Sequence, residues 1–285
     1  MFASVQSLFG ESIYDKNYRS GRVSYMNIDY REDFSQAESA HSACQDCGLI
    51  AWSLSANLSL QESMQFNNRI EHHRLIRRND YLFHAGVALS SLYVVHSGFL
   101  KTSMTDSNGR EQVTGVSITR DSVGMEAIGT GKHQCDTIAL EDSRLCGMRY
   151  SDIDELGYVI PALQRHFHRV MGAEIARDHG VMLLLGAMRV EERVAVFLLN
   201  LSKRFFACGY SGTHFRLPMT GREIASYLGV RLETVSRVFS RFQDTHLIAI
   251  DRKEIEIKNL VGLQQIIMAH EMRRPQPRRT RLDAN

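Results

Sequence analysis

Glu233, Ser236 and Arg237 place a carboxylate, a hydroxyl and a guanidinium at helical spacing, and Ser240 continues the same face. An arginine can bond guanine through two hydrogen bonds, a glutamate can accept from the amino group of cytosine, and a serine can reach either partner. A short helix with these side chains on its outer face therefore suits the major groove of DNA. An ordinary helical hairpin with a solvated charged face is the alternative.

The elements around this face predict a winged helix-turn-helix. Gly229 lies where the chain must turn sharply between two helices, and glycine enters left-handed backbone space without a steric penalty. Residues 247–258 alternate apolar and polar side chains on both sides of a charged turn, which predicts a β-hairpin. The apolar face of the second helix is formed by Leu232, Val235, Phe239 and Phe242.

Charge is distributed unevenly along the chain. Its 285 residues are enough for two modest domains, and 44% of them are hydrophobic. From Arg189 onward 17 basic side chains outnumber 10 acidic ones, a net charge of +7, whereas residues 1–188 have 17 against 22, a net charge of −5. This asymmetry favours phosphate contact at the C-terminal end.

Apolar runs and cysteines bear on location and chemistry. No run approaches the roughly 18 apolar residues of a membrane helix, and the N-terminal residues show no basic-then-apolar signal pattern, so we expect a cytoplasmic protein without a membrane partner. Five cysteines, an odd number, argue against a disulfide framework. Metal binding, redox sensing and plain burial remain open for them.

The first part of the chain predicts a β-rich sensor domain. We expect residues 1–40 to form a loosely held, flexible extension and residues 41–160 to form a β-barrel or jelly roll, because short β-rich runs alternate with glycine turns. The clearest hairpin turn is Asp106-Ser107-Asn108-Gly109.

A long helix is predicted over residues 161–187, with Pro161 at its first position. A 4-3-4-3 spacing, typical of a two-stranded coiled coil, connects Met171, Ile175, Asp178, Met182 and Leu185. This seam predicts a homodimer; the alternative is a helix that packs only on its own barrel. Residues 188–270 form the predicted DNA-binding domain, which begins with an amphipathic helix at 191–201, and residues 271–285 form a basic tail.

The order of these elements resembles the CRP/FNR family of bacterial transcription regulators, in particular its FNR branch of oxygen-responsive activators. The resemblance runs from about residue 41 to about residue 269 and implies an α+β fold: a cyclic-nucleotide-binding-like jelly roll, a dimerisation helix and a winged helix-turn-helix. Its carriers are Cys44-Gln45-Asp46-Cys47, Ser91-Leu92-Tyr93, Ser97-Gly98, Glu111-Gln112-Val113-Thr114-Gly115, Gly124-Met125-Glu126-Ala127-Ile128-Gly129, Ala139-Leu140-Glu141, Glu191-Glu192-Arg193 and Glu233-Thr234-Val235-Ser236-Arg237.

The resemblance also implies partners and a target. Glu233, Ser236 and Arg237 would read base edges in palindromic double-stranded DNA with TTGAT-like half-sites, and RNA polymerase would be a partner. Further candidate DNA-binding residues are Arg222, Arg231 and Thr234.

The same resemblance implies a 4Fe–4S iron–sulfur cluster held by three N-terminal cysteines and one from the barrel. Cys44 and Cys47 match the first two ligands and Cys146 matches the barrel ligand, but the third N-terminal position holds Ser53. A hydroxyl is a far poorer ligand for iron than a thiolate. Candidates for the missing ligand are Cys135, His41, Ser53 itself, water or a small thiol.

Several alternatives to a cluster remain. Cys44 and Cys47 could form a thiol switch or bind zinc, and Cys146, Cys135 and Cys208 could be core residues. A constitutive regulator with a decayed sensor is also open.

Cyclic nucleotide sensing and catalysis are less favoured by the residues. The position that grips a cyclic phosphate in related sensors holds Gln134-Cys135, followed by Asp136. His72, His73, His166 and His168 assemble no catalytic constellation.

Asp178 suggests how a signal at the sensor site could change dimerisation and thereby DNA binding. In a parallel dimer its two copies would face each other and repel. We hypothesise that an occupied sensor site repositions the helix and overcomes this repulsion.

Overall fold

The computed structural model describes residues 58–271, except for the side chains of His72, His73 and residues 269–271. Outside this range lie the predicted extension 1–40, the candidate ligands His41, Cys44, Cys47 and Ser53, and the tail from residue 272 onward. None of the helices within the described range combines the length and apolar character needed to cross a membrane.

The N-terminal half consists of a short helix and two four-stranded sheets. Helix α1 (Leu60–Asn67) begins at Ser59, which forms a capping box with Glu62. One sheet has the order β1-β8-β3-β6 and the other β2-β7-β4-β5, with antiparallel pairing. The strands are β1 (Glu71–Ile76), β2 (Tyr81–Phe83), β3 (Ser91–Ser97), β4 (Leu100–Thr105), β5 (Glu111–Ser117), β6 (Ser122–Val123), β7 (Asp136–Ala139) and β8 (Ser143–Arg149).

Strands β3 and β8 are covered by buried apolar side chains on both faces. Tyr93, Val95 and Leu145 belong to a cluster that also contains residues of the other sheet, so they lie between the sheets. Val94 and Cys146 belong to a second cluster, which includes residues of the helices. Alternation along each strand produces this division, because successive side chains point to opposite faces. The predicted jelly roll is confirmed.

Three helices follow the jelly roll: α2 (Tyr150–Val159), α3 (Pro161–Ala187) and α4 (Val190–Ala207). Pro161 is at the start of α3, where its missing N–H costs nothing. The helix predicted at 191–201 is present, and it extends further toward the C-terminus than its sequence pattern indicated.

The C-terminal elements form a helix-turn-helix followed by a wing, as predicted. The hairpin of β10 and β11 pairs in register from Ile248 with Ile257 to Asp251 with Glu254. An additional strand, β9, completes a sheet of order β10-β11-β9 that the sequence pattern did not indicate. The elements are β9 (His214–Arg216), α5 (Gly221–Tyr227), α6 (Leu232–Asp244), β10 (Ile248–Asp251), β11 (Glu254–Ile257) and α7 (Leu260–Glu271).

One apolar core joins the two halves. Phe99, Val113 and Leu140 of the jelly roll belong to the same buried cluster as Leu198 of α4 and Ile224 of α5. The position of the helix-turn-helix therefore depends on the jelly roll as well as on its own fold.

Candidate DNA interface and sensor region

The turn of the helix-turn-helix is determined by its first helix and by one glycine. Thr220 Oγ1 accepts from the Glu223 backbone N–H at 3.2 Å, and the Glu223 carboxylate accepts from the Thr220 N–H at 2.7 Å, so the first turn of α5 is capped. Gly229 has a φ of 63° and donates its N–H to the Ser226 carbonyl at 3.1 Å. The predicted left-handed glycine is confirmed.

Helix α6 turns its predicted reading face outward. Val235, Val238 and Phe242 are buried, and their burial holds the helix on the domain. The DNA-binding candidates Glu233, Ser236, Arg237, Arg231 and Arg222 are exposed, and Thr234 is half-buried. Val238 was missed by the sequence interpretation, whereas the predicted apolar residues Leu232 and Phe239 are half-buried against the same core.

A cavity of about 750 Å³ opens beside the predicted reading residues. Its walls include Thr234, Arg237 and Arg241 of α6, Arg189 and Glu191 at the start of α4, and Ile266 of α7. Arg241 Nη1 forms an ion pair with Glu191 Oε1. Arg237 Nη2 donates to Thr234 Oγ1 at 3.5 Å.

The edge strand β5 contacts the first helix of the DNA-binding motif. The backbone N–H of Val113 donates to Ser226 Oγ at 2.9 Å. Lys101 Nζ lies 3.0 Å from Glu111 Oε1 and 3.1 Å from Glu223 Oε1. Burial lowers the pKa of Lys101, but its hydrogen bonds to Glu111 and Glu223 outweigh that effect and raise the pKa above its usual value.

A buried carboxylate joins the jelly roll to two helices. Asp121, which precedes β6, pairs with Arg204 of α4 and lies 3.7 Å from Arg177 Nη2 of α3. It also accepts the Ile118 backbone N–H at 2.6 Å, and Arg204 donates to the Val116 carbonyl at 2.9 Å. The sequence pattern gave no indication of this junction, because its members are single residues far apart in the chain.

Cys146 and Cys135 lie on opposite sides of one sheet layer. Cys146 is fully buried on the outer face of β8, in the cluster that also holds Phe66 and Ile70. Half-buried Leu58 packs against the same cluster, so the described chain begins against the core that contains Cys146. The location of Cys146 is thus compatible with ligands from the preceding segment, which lies outside residues 58–271.

Cys135 belongs to the core between the sheets. Burial, with the nearby Glu126 carboxylate, raises the pKa of the Cys135 thiol to about 12. Its position between the sheets, on the other side of β8 from Cys146, disfavours Cys135 as the missing fourth ligand. Burial also raises the pKa of Cys208, to about 11, and its Sγ donates to the Thr119 carbonyl at 3.1 Å.

Internal bonds occupy the region where related sensors grip a cyclic phosphate. Gln134 Nε2 donates to Thr130 Oγ1 at 2.8 Å and to the Lys132 carbonyl at 2.7 Å. Asp136 Oδ1 accepts the Ala85 N–H at 2.9 Å. His133 stacks on Phe83 with ring centroids 3.5 Å apart, and its Nδ1 lies 2.9 Å from Glu126 Oε1. This arrangement offers a carboxylate, and no guanidinium, to an anion.

The residues of the predicted dimer seam on α3 differ in their solvent exposure. Ile175 and Met182 are 54% and 68% exposed, and Asp178 is exposed between them. Met171 is half-buried, and half-buried Leu185 packs against the C-terminal core. Partial desolvation by the surrounding protein raises the pKa of the Asp178 carboxyl, although Arg177 and His179 oppose the shift.

Among residues 58–271 no three His, Cys, Asp or Glu side chains are grouped so that they could hold a metal ion. A cluster that uses Cys146 would need donors from outside residues 58–271.

Comparisons with known proteins agree with this architecture. A family model for the cyclic nucleotide-binding domain matches residues 73–157, and one for the Crp-like helix-turn-helix domain matches residues 192–266. The chain is 39% identical over 230 residues to the transcriptional regulatory protein btr of Bordetella pertussis, covering 81% of this chain and 94% of the relative. It is 39% identical over 223 residues to the fumarate and nitrate reduction regulatory protein of Escherichia coli, covering 78% and 89%.

A solved structure supports the same fold. FixK2 from Bradyrhizobium japonicum superposes with a TM-score of 0.63 at 25% identity, covering 68% of this chain and 96% of that one. A jelly-roll domain of the cyclic nucleotide-binding type, followed by a winged helix-turn-helix, defines a transcription regulator and not an enzyme. The chain belongs to the CRP/FNR family, in its FNR-like branch.

Proposed function

We propose that this regulator binds palindromic DNA with TTGAT-like half-sites as a homodimer and controls transcription by RNA polymerase in response to oxygen or redox state. The observation that carries the DNA-reading part is the outward face of α6, where Glu233, Ser236 and Arg237 are exposed together. Burial of Val235 and Phe242 on the opposite side holds that face toward solvent. This placement is what direct readout in the major groove requires.

The proposed sensor is an iron–sulfur site that includes Cys44, Cys47 and Cys146. The burial of Cys146 in the core cluster against which Leu58, at the start of the described chain, packs supports this assignment. A cluster, when bound, would supply the chemistry that reacts with oxygen. With Cys135 disfavoured by its position between the sheets, His41 and Ser53 remain candidates for the missing protein ligand.

A second candidate is a regulator with no cluster. Ser53 at the third cysteine position favours it, because clusters prefer sulfur donors. Its input would be the redox state of Cys44 and Cys47 or another small ligand.

An ultraviolet–visible spectrum with iron and sulfide assays, recorded on protein purified without oxygen and then exposed to air, separates the two candidates. A broad absorbance near ~400 nm that bleaches in air is expected for a cluster. Replacement of Cys146 by alanine should abolish that absorbance, whereas Cys208→Ala should preserve it. Iron-free, colourless protein that still prefers the palindrome would reject the cluster and retain DNA binding.

A further inference from the structure

Arg241 extends the predicted reading surface by one helical turn. It lies four residues after Arg237 on α6, so the two guanidinium groups share a face of the helix. Both line the cavity between α6 and the start of α4, and Arg189 adds a third arginine to its walls. A concave site with three guanidinium groups beside a DNA-reading face is suited to an anion.

The acidic side chains of this cavity have different roles. Glu192 is buried, and its carboxylate accepts the Arg189 backbone N–H at 2.8 Å, which caps α4. Glu191 instead extends across the cavity to Arg241, and the two side chains are 40% and 65% exposed. An ion pair with this exposure stabilises the fold little. Arg241 can therefore exchange Glu191 for a stronger anionic partner at small cost.

We propose that this cavity seats a backbone phosphate of bound DNA, that Arg241 binds the phosphate, and that Glu191 competes with it for Arg241. A phosphate presents the same planar pair of acceptors to a guanidinium as a carboxylate does, within a polyanion that attracts it more strongly. The inference rests on the proposed DNA binding through α6. Since the contact is to the backbone, it affects all duplexes alike and adds no discrimination between bases.

Because Glu191 competes with the phosphate for Arg241, substitutions of Glu191 and of Arg241 should change the DNA affinity in opposite directions. Glu191→Gln frees Arg241 and should tighten binding to both a palindromic and a scrambled duplex, by about two- to fivefold. The dependence of log Kobs on log salt concentration should steepen by up to about 0.9, because one more counterion is released. Arg241→Gln should weaken binding to both duplexes equally and flatten the salt dependence by a similar amount.

The decisive comparison is the double variant, measured by fluorescence anisotropy on the full-length protein. Glu191→Gln should have no further effect in the Arg241→Gln background, because the competed partner is gone. A matched control is Glu155→Gln, which removes an exposed carboxylate on α2 whose Oε2 lies 3.1 Å from Arg69 Nη1. It changes the net charge equally and should leave both affinities unchanged.

Two results would overturn the proposal. One is an unchanged affinity and salt dependence in Glu191→Gln. The other is the same gain with and without Arg241, which would mean that Glu191 only repels DNA at a distance. Equal affinity of the wild-type protein for the palindrome and the scrambled duplex would reject the proposed base reading. The variants of Glu191 and Arg241 would still show whether Arg241 binds a DNA phosphate.

Discussion

Arg237 is exposed on α6 beside Glu233 and Ser236, and it is the side chain best suited to bond a guanine. Arg237→Ala should cost about 1–3 kcal/mol in binding to the palindrome and relax the preference at one position of each half-site. Competition titrations with half-site variants measure both effects. Arg144→Ala, at an exposed arginine of the jelly roll, changes the net charge equally and should have no effect. Equal losses on palindromic and random DNA would reject base reading by Arg237.

Gly229 determines how α5 and α6 meet. Its φ of 63° is unfavourable for a residue with a Cβ, and a Cβ there would lie 3.2 Å from Leu185 Cδ2. Gly229→Ala should therefore lower the free energy of unfolding by about 1–2 kcal/mol, as measured in urea. Gly172→Ala is a matched control within α3, where an added Cβ meets no atom within 4 Å. That change should stabilise the helix by about 0.5–1 kcal/mol; a similar stabilisation by Gly229→Ala would contradict the argument.

Strand β5 is an edge of its sheet, and α5 of the DNA-binding motif covers part of that edge. The only charged side chain buried there among the described residues of β4 and β5 is Lys101, which lies between Glu111 and Glu223. Lys101→Met keeps the length of the side chain and removes the charge. It should destabilise the protein by about 1–3 kcal/mol, because two carboxylates lose their shared partner. Arg110→Met, at an exposed position between the same strands, is the control.

The contact between Lys101 and Glu223 should also make the free energy of unfolding depend on pH in the acid range. Burial opposes ionisation of Glu223, but hydrogen bonds from Thr220 and Lys101 outweigh it and lower the pKa. A lowered folded pKa means that the stabilisation is complete above the ordinary pKa of about 4.3 and is lost as the pH falls through the folded value. Urea unfolding between pH 6 and 3 should show a smaller loss for Lys101→Met than for wild type. Parallel losses would mean that Lys101 does not affect the titration of Glu223.

The predictability of each element depends on how local its signal is. Gly229, Pro161 and the alternation in residues 247–258 are local signals, and each indicated its turn, helix start or hairpin correctly. The bond between Asp121 and Arg204 joins residues 83 apart, and that between Val113 and Ser226 joins residues 113 apart. Such single pairs leave no periodic trace in a sequence. The separation of Cys135 from Cys146 likewise required knowledge of which sheet face each occupies.

For the whole molecule, the exposed apolar face of α3 indicates where a second copy would pack. Ile175 and Met182 flank Asp178 on this face, so two parallel helices would bring two carboxylates together. Asp178→Ala should remove that repulsion and lower the dimer dissociation constant by about ten- to a hundredfold without any signal. Sedimentation velocity over a range of protein concentrations measures the change. Asp178→Glu keeps the charge and should leave the wild-type equilibrium nearly unchanged.

The pH dependence of dimerisation is an independent test of the role of the two Asp178 carboxylates. The pKa of Asp178 is raised, so protonation begins at a higher pH than for an ordinary aspartate and leaves the seam neutral. Wild-type dimers should therefore tighten as the pH falls toward the pKa of this carboxyl. Neighbouring Arg177 stays charged throughout this range. Asp178→Asn should lose the tightening; if its dimerisation depends on pH as that of wild type does, Asp178 does not control association.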